Sequence, residues 1–378
     1  MVVKKYKTPI NIAGGEEKFV CPQALVLNTY LGCAHQCVYC YAGWVLDIYK
    51  KWDTVIPADV NIIEEKFVRA FKENRQDKIS KLLRMRIPFR FANITDGFQE
   101  IERTEGVSYK ALEILKEYKY PVIINTKGIV IGDDKYIELL KQIPVVVQMT
   151  LTTLDEDLTA CLEPHAPTAS ERLEILYKLY KNDIITQLRY SPVFPMLTDS
   201  PEKLFAEASS VGVRDIICEF VRLPKTKKYL NILNDNLGYD YLFFLNKFGY
   251  PLISTGHWWK VEKPFIFEEY KSFKQMAEMF GLSFYICCEE QPEINNWKNC
   301  CGTQKYLGFE NCMDWTVQMN GSCFGKSPIE FATYMVDFFQ TCPYVEDFRT
   351  YFESGKLKTT LSDLTFDGIR YTRNQDKE

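Results

Sequence analysis

The chain has 378 residues, 46% apolar and 25% charged, with 46 Lys and Arg against 50 Asp and Glu for a formal net charge of −4. That size can bury a large core, as one extended α/β domain or a core with a smaller appended domain, and the ordinary composition excludes a disordered chain or a repeat array. The slightly acidic balance gives no global attraction to nucleic acid, so a polyanion would have to be held by a local patch.

Residues 1–20, "MVVKKYKTPINIAGGEEKFV", lack the apolar centre of a signal peptide, and no run approaches the length that spans a bilayer. We therefore expect a cytoplasmic protein with no membrane contact. In a reducing compartment its 13 cysteines, an odd number, read as buried residues, metal ligands and catalytic thiols rather than a disulfide framework.

From residue 21 to 255, short β-branched runs alternate with amphipathic stretches, the pattern of a parallel sheet wrapped by helices. The predicted strands are 24–30, 89–94, 121–126, 144–150, 184–193 and 213–220. Between them apolar residues recur near i, i+3 and i+4 over 109–119, 135–143, 169–182 and 201–212, as in helices. Six such units predict an α/β fold of partial (β/α)6 TIM-type barrel, preceded by an N-terminal segment (1–20) and followed by a Cys-rich C-terminal extension (256–378).

The stretch "LGCAHQCVYCYAGW" (31–44) follows the first strand and places Cys33, Cys37 and Cys40 at spacings of four and three. A zinc knuckle would need a fourth Cys or His at matched distance, and the nearest downstream cysteine is Cys161. Three thiolates with one position open point instead to an iron–sulfur cluster that keeps an iron for another task. Chemistry in such folds gathers at the carboxyl ends of the strands, where this sequence has Thr95, Asp96, Thr126, Lys127, Thr150, Thr152 and Arg189.

After residue 255 one more helix and a strand-like "LSFYI" (282–286) lead into a tract with Cys287, Cys288, Cys300, Cys301, Cys312 and Cys323. These six are candidate ligands of a second iron–sulfur cluster or a zinc. Cysteine is also a common buried residue, so packing stays open as the alternative.

The triplet, together with "ITDGFQEIER" (94–103), "INTKG" (124–128), "TLTTLDEDLTACLEPHAPTASERLEIL" (150–176) and "SPVFPMLTD" (191–199), resembles the radical S-adenosylmethionine (SAM) superfamily, and within it the spore photoproduct lyase-like group. The resemblance covers roughly residues 20 to 220 and implies a TIM-type fold, a 4Fe-4S cluster on Cys33, Cys37 and Cys40, SAM on the open iron, and an external one-electron reductant of flavodoxin or ferredoxin type. By the same resemblance Tyr39 lies against the adenine, Thr95 contacts the methionyl end, Lys127 meets the carboxylate and Thr150 bonds the ribose. Asp96, Thr152 and Arg189 are further candidates for the same pocket. Two departures stand out. The superfamily's Gly-Gly-Glu element is found only at Gly14 to Glu16, ahead of the cluster, and Asn93 stands where the DNA repair enzymes have a cysteine that returns a hydrogen atom.

Three readings of function follow. One is a radical SAM enzyme acting on nucleic acid or a modified nucleoside, with Trp258, Trp259, Trp297 and Trp315 as stacking surfaces or core residues. Another is radical modification of a peptide or small metabolite, with an auxiliary metal centre on the C-terminal cysteines. The third, a non-enzymatic metal-binding protein, leaves Lys127 and Thr150 without a task.

Overall fold

The computed structural model describes residues 5–12, 25–43, 54–198, 200–287, 294–296, 300–308, 364–366 and 371–373. Its strands in chain order are β1 (Ile10–Ile12), β2 (Leu25–Leu27), β3 (Tyr30–Leu31), β4 (Ile56–Pro57), β5 (Phe89–Phe91), β6 (Val122–Thr126), β7 (Val145–Thr150), β8 (Ile185–Val193), β9 (Asp215–Phe220), β10 (Leu223–Pro224), β11 (Leu252–Thr255), β12 (Trp258–Val261) and β13 (Ser283–Ile286). The main sheet runs β1-β2-β5-β6-β7-β8-β9-β13. From β2 onward every pairing is parallel, and β1 caps the edge antiparallel to β2. This is the mostly parallel sheet expected of a partial TIM-type barrel.

All six strands expected from the sequence are present. A seventh parallel strand, β13, comes from the "LSFYI" run and pairs with β9, so the sheet extends past residue 255. The first predicted strand is shorter than expected. It breaks after Leu27, and β3 turns away to pair with β4, while Asn28 Oδ1 accepts a 2.8 Å bond from Asn93 N beside the end of β5.

Period-2 alternation sorts each strand into two faces. On β7, Val145, Val147 and Met149 join the main core under the outer helices, whereas Val146 packs inward with Ile123, Ile185 and Cys301. The helix Ala169–Lys181 shows why the outer layer forms. Thr168 and Glu171 make a reciprocal capping box, and Ala169, Arg172, Leu176 and Leu179 form its buried stripe.

The inner floor is closed by the helix Thr303–Leu307, which sets Tyr306 and Leu307 against Ile123, Val146 and Ile185. A hydrogen-bonded row crosses the sheet there: Gln148 Nε2 to Gln187 Oε1 at 2.7 Å, and Gln187 Nε2 to Asp215 Oδ2 at 2.9 Å. The fully buried Asp215 also receives Lys305 Nζ at 2.9 Å and Tyr306 Oη at 2.5 Å. Two side chains from the far end of the chain thus satisfy a carboxylate on β9. A second core of Val38, Leu162, Phe194, Leu233, Tyr241 and Leu245 joins the helices after β10 to the cysteine loop.

Candidate active site at the carboxyl ends of the strands

Cys33, Cys37 and Cys40 lie on the loop that leaves β3 through Gly32, whose φ of +87° suits glycine. The loop is pinned at several points. Thr95 Oγ1 donates to Gly32 O at 2.5 Å, Ala34 N donates to Gln99 Oε1 at 2.8 Å, and Val38 N donates to Leu162 O at 3.0 Å. All three thiols are free and none is exposed. Burial, with Asp96 nearby, pushes the Cys33 thiol up, and burial lifts Cys37 to about 12 against the pull of Lys127. A metal centre would have to displace these protons, as thiolate ligation does.

Asp96 clamps the ends of β5 and β6. Its Oδ1 accepts from Phe98 N at 2.9 Å and Thr126 Oγ1 at 2.6 Å, and its Oδ2 accepts from Lys127 N at 2.7 Å. Asp96 is therefore committed to the chain's own groups and sets the position of Lys127. The buried His35 stands 3.6 Å from it, with burial lowering the imidazole pKa despite the carboxylate. Gly128 is required at this junction, because a Cβ there would sit 2.0 Å from Phe98 O.

The centre of the site is Glu163, in the turn after the helix Glu156–Leu162. Its Oε1 accepts from the Tyr39 hydroxyl and, at 2.6 Å, from Thr152 Oγ1, and Lys127 Nζ stands 3.8 Å away. Its Oε2 is ion-paired with Arg172 Nη2 at 2.5 Å, while Arg172 Nη1 donates to Thr150 O at 3.0 Å. Burial alone would raise the Glu163 carboxyl. Lys127 and Arg172, with the two hydroxyls, hold it at about 2. Burial likewise works against the Lys127 charge, and Glu163 together with Cys37 and Cys40 outweighs it, so that pKa rises. The Lys127 ammonium lies 5.6 Å above the Tyr39 ring centroid.

The residues expected at the strand ends thus converge: Tyr39, Thr95, Asp96, Lys127, Thr150 and Thr152 meet around the cysteine loop. Arg189 falls in a neighbouring group, 3.3 Å from Gln148 Oε1, 3.7 Å from Glu219 Oε2 and 3.5 Å from Cys287 Sγ. Cys287 packs with Ile217 and Tyr285, Cys301 with Ile123 and Val146, and Cys300 touches both groups, its Sγ 3.5 Å from that of Cys301. Cys288, Cys312 and Cys323, with Trp297, Trp315 and Gly14 to Glu16, lie outside the described residues. Asn93 accepts a 2.8 Å bond from the Tyr41 hydroxyl.

Among the described residues, no group of three or more His, Cys, Asp and Glu side chains is arranged to hold a single metal ion. A four-iron cluster distributes its thiolates over separate irons, so the triplet's donor set, three free thiols on one pinned loop, suits a cluster better than an ion. Glu163 and Arg172 are absent from the sequence-based candidates. The available signal was Arg172, a charge inside the apolar stripe 169, 172, 176, 179 of an amphipathic helix.

Residues 27–208 match the family model described as the radical SAM superfamily. An uncharacterized protein of Methanocaldococcus jannaschii is 24% identical over 225 residues, which are 59% of this chain and 80% of that protein. An uncharacterized protein of Mycobacterium tuberculosis is 26% identical over 200 residues, 51% of this chain and 58% of that one, so the chain spans little more than half of that relative. The structure of spore photoproduct lyase complexed with dinucleoside spore photoproduct matches with a TM-score of 0.51 at 15% identity, over 70% of this chain and 76% of that one. At that identity the likeness concerns the fold.

Proposed function

We propose that the chain, whose residues 27–208 match the radical SAM family model, is an enzyme that cleaves SAM reductively and abstracts hydrogen from a C–H bond of a bulky substrate. The observation that carries the reading is the convergence of Tyr39, Lys127 and Thr152 on one carboxylate beside the cysteine loop. Cys33, Cys37 and Cys40 would hold a 4Fe-4S cluster, which when bound supplies the electron that splits SAM into methionine and a 5′-deoxyadenosyl radical. Lys127 offers a point charge for the SAM carboxylate, and Tyr39, beneath that ammonium, offers a ring face for the adenine. Thr95 and Thr150 stand beside the same loop for the methionyl and ribose ends. The second core, around Val38 and Phe194, keeps water from one side of the pocket. The free buried thiols and the electron requirement fit a reducing cytoplasm with a flavodoxin- or ferredoxin-like donor; among the described residues no helix is long and apolar enough to cross a membrane.

For the substrate, we favour nucleic acid or a modified nucleoside because of one segment. Between residues 222 and 263 there are seven Lys and Arg against three Asp and Glu, in a chain whose net charge is −4. The segment also exposes Tyr239, Phe243 and Phe248, and sets Lys225 Nζ 5.6 Å over the Trp259 ring. Cations interleaved with aromatic faces suit phosphates and bases. The test is binding of single-stranded RNA and DNA across a salt series. A steep fall in affinity with salt is expected, and salt-independent or absent binding would exclude this substrate class. The other reading, a peptide or small metabolite handled with an auxiliary metal centre, is favoured by the gathering of Cys287, Cys300 and Cys301 near Arg189.

A further inference from the structure

We infer that Glu163 is the positioning residue of the SAM pocket: a buried carboxylate that meets no ligand itself and holds side chains from three separate elements, Tyr39 and Lys127 facing the ligand and the buried Thr152 beside them, in one arrangement. This rests on the SAM reading above. The three are Tyr39 on the cysteine loop, Lys127 after β6 and Thr152 after β7. The pairing of β6 with β7 fixes where Lys127 and Thr152 leave the sheet, whereas Tyr39 comes from a separate loop, and the three side-chain tips meet only at the carboxylate. Glu163 Oε1 takes the Tyr39 and Thr152 hydroxyls and the Lys127 charge, and Arg172 fixes Oε2 from the helix Ala169–Lys181.

Two features separate this role from ligand contact. The Glu163 and Arg172 side chains are each only 1% exposed, so neither reaches the mouth of the site. Lys127 is 16% exposed, and its ammonium, 3.8 Å from Oε1, lies beyond hydrogen-bond range, an attraction that aims the charge while leaving its N–H donors to meet a carboxylate. The same corner also straps the cysteine loop through Val38 N to Leu162 O at 3.0 Å. One short segment, 162–163, therefore sets both the loop that bears the thiols and the cation that meets the ligand. A carboxylate shared in this way acts as the outer partners of metal ligands do, by fixing orientation.

The experiment is calorimetric titration of SAM into the anaerobically reconstituted full chain, with iron content and the change SAM makes in the electron paramagnetic resonance (EPR) spectrum of the reduced cluster as further readouts. Glu163→Gln keeps acceptors for both hydroxyls and removes the charge; we expect about tenfold weaker SAM binding, a smaller spectral change and unaltered iron content. Because a lone buried Arg172 can unfold the chain, the paired variant Glu163→Leu with Arg172→Met removes both charges, and the same loss is expected. Glu163→Asp, which keeps the charge, should bind SAM better than Glu163→Gln. Lys127→Ala with Glu163→Gln should lose less than the sum of the two single losses, because part of what Glu163 does runs through that lysine. If Lys127→Ala weakens binding while Glu163→Gln and the paired variant bind SAM as the unaltered chain does, this inference fails and the SAM reading survives. If Lys127→Ala itself binds SAM normally, the SAM reading fails. Loss of iron in every Glu163 variant would also overturn the inference, by making the residue a folding element.

Discussion

Three cysteines on the mouth loop and three inside the barrel, from the end of β13 down to the floor, have the same chemistry and different surroundings. Cys33, Cys37 and Cys40 share one loop, pinned by Thr95, Gln99 and Leu162, beside a cation and a buried carboxylate. Cys287, Cys300 and Cys301 come from two segments and rest on Ile123, Val146, Ile217 and Tyr285. Sequence density marked both groups. Among the described residues, Lys127, Glu163 and Arg172 stand behind the mouth loop, whereas the inner thiols pack on apolar neighbours, with the Arg189 guanidinium 3.5 Å from Cys287. Fixed charges beside a thiol change how readily it becomes a thiolate, whereas a thiol among apolar side chains fills volume.

The sharpest way to break this comparison is Cys40→Ala, which should abolish formation of 5′-deoxyadenosine and most of the brown chromophore; full cleavage activity would reverse the assignment of the mouth. A smaller effect concerns acid stability. The Glu163 carboxyl sits at about 2 in the folded chain against 4.5 ordinarily, so its contribution is present above pH 4.5 and lost as pH falls through 2. That contribution is about 3 kcal/mol, and denaturant unfolding of the metal-free chain should show it shrinking across this window and missing in Glu163→Gln. Lys127→Ala should then cost about 1.5–3 kcal/mol in SAM binding, roughly ten- to a hundredfold, without unfolding the chain. The mildest change belongs to the floor. Cys300→Ala with Cys301→Ala should leave the SAM-binding cluster spectroscopically intact and cost about 1 kcal/mol of packing. Loss of four further iron or one zinc in that variant would erase the distinction and establish an auxiliary centre.

The strands from β5 to β9 were legible because β-branched runs between amphipathic helices leave few other folds, and the thiol loop because its spacing is local. Strand β13 was read as a strand but not as part of the sheet, since nothing in "LSFYI" tells which edge it joins. Glu163 was harder. Its partners lie 124 positions away at Tyr39, 36 at Lys127 and 9 at Arg172, and only the folded chain brings them together. Asp96, a candidate for the cofactor pocket, accepts from Phe98 N, Thr126 Oγ1 and Lys127 N, and a strand-end carboxylate reads the same in sequence whether it faces a ligand or its own backbone.

Asp215 on β9 sets a limit on dissection of the chain. The family match ends at residue 208, and the last of the expected barrel strands ends near 220, which invites trimming the tail to obtain a minimal catalytic fragment. Such a fragment would lose the helix Thr303–Leu307, leaving Asp215 without Lys305 and Tyr306 and uncovering the apolar surface of Ile123, Val146 and Ile185. Expression fragments that end before Leu307 should therefore aggregate or be degraded even though every residue of the candidate site is retained.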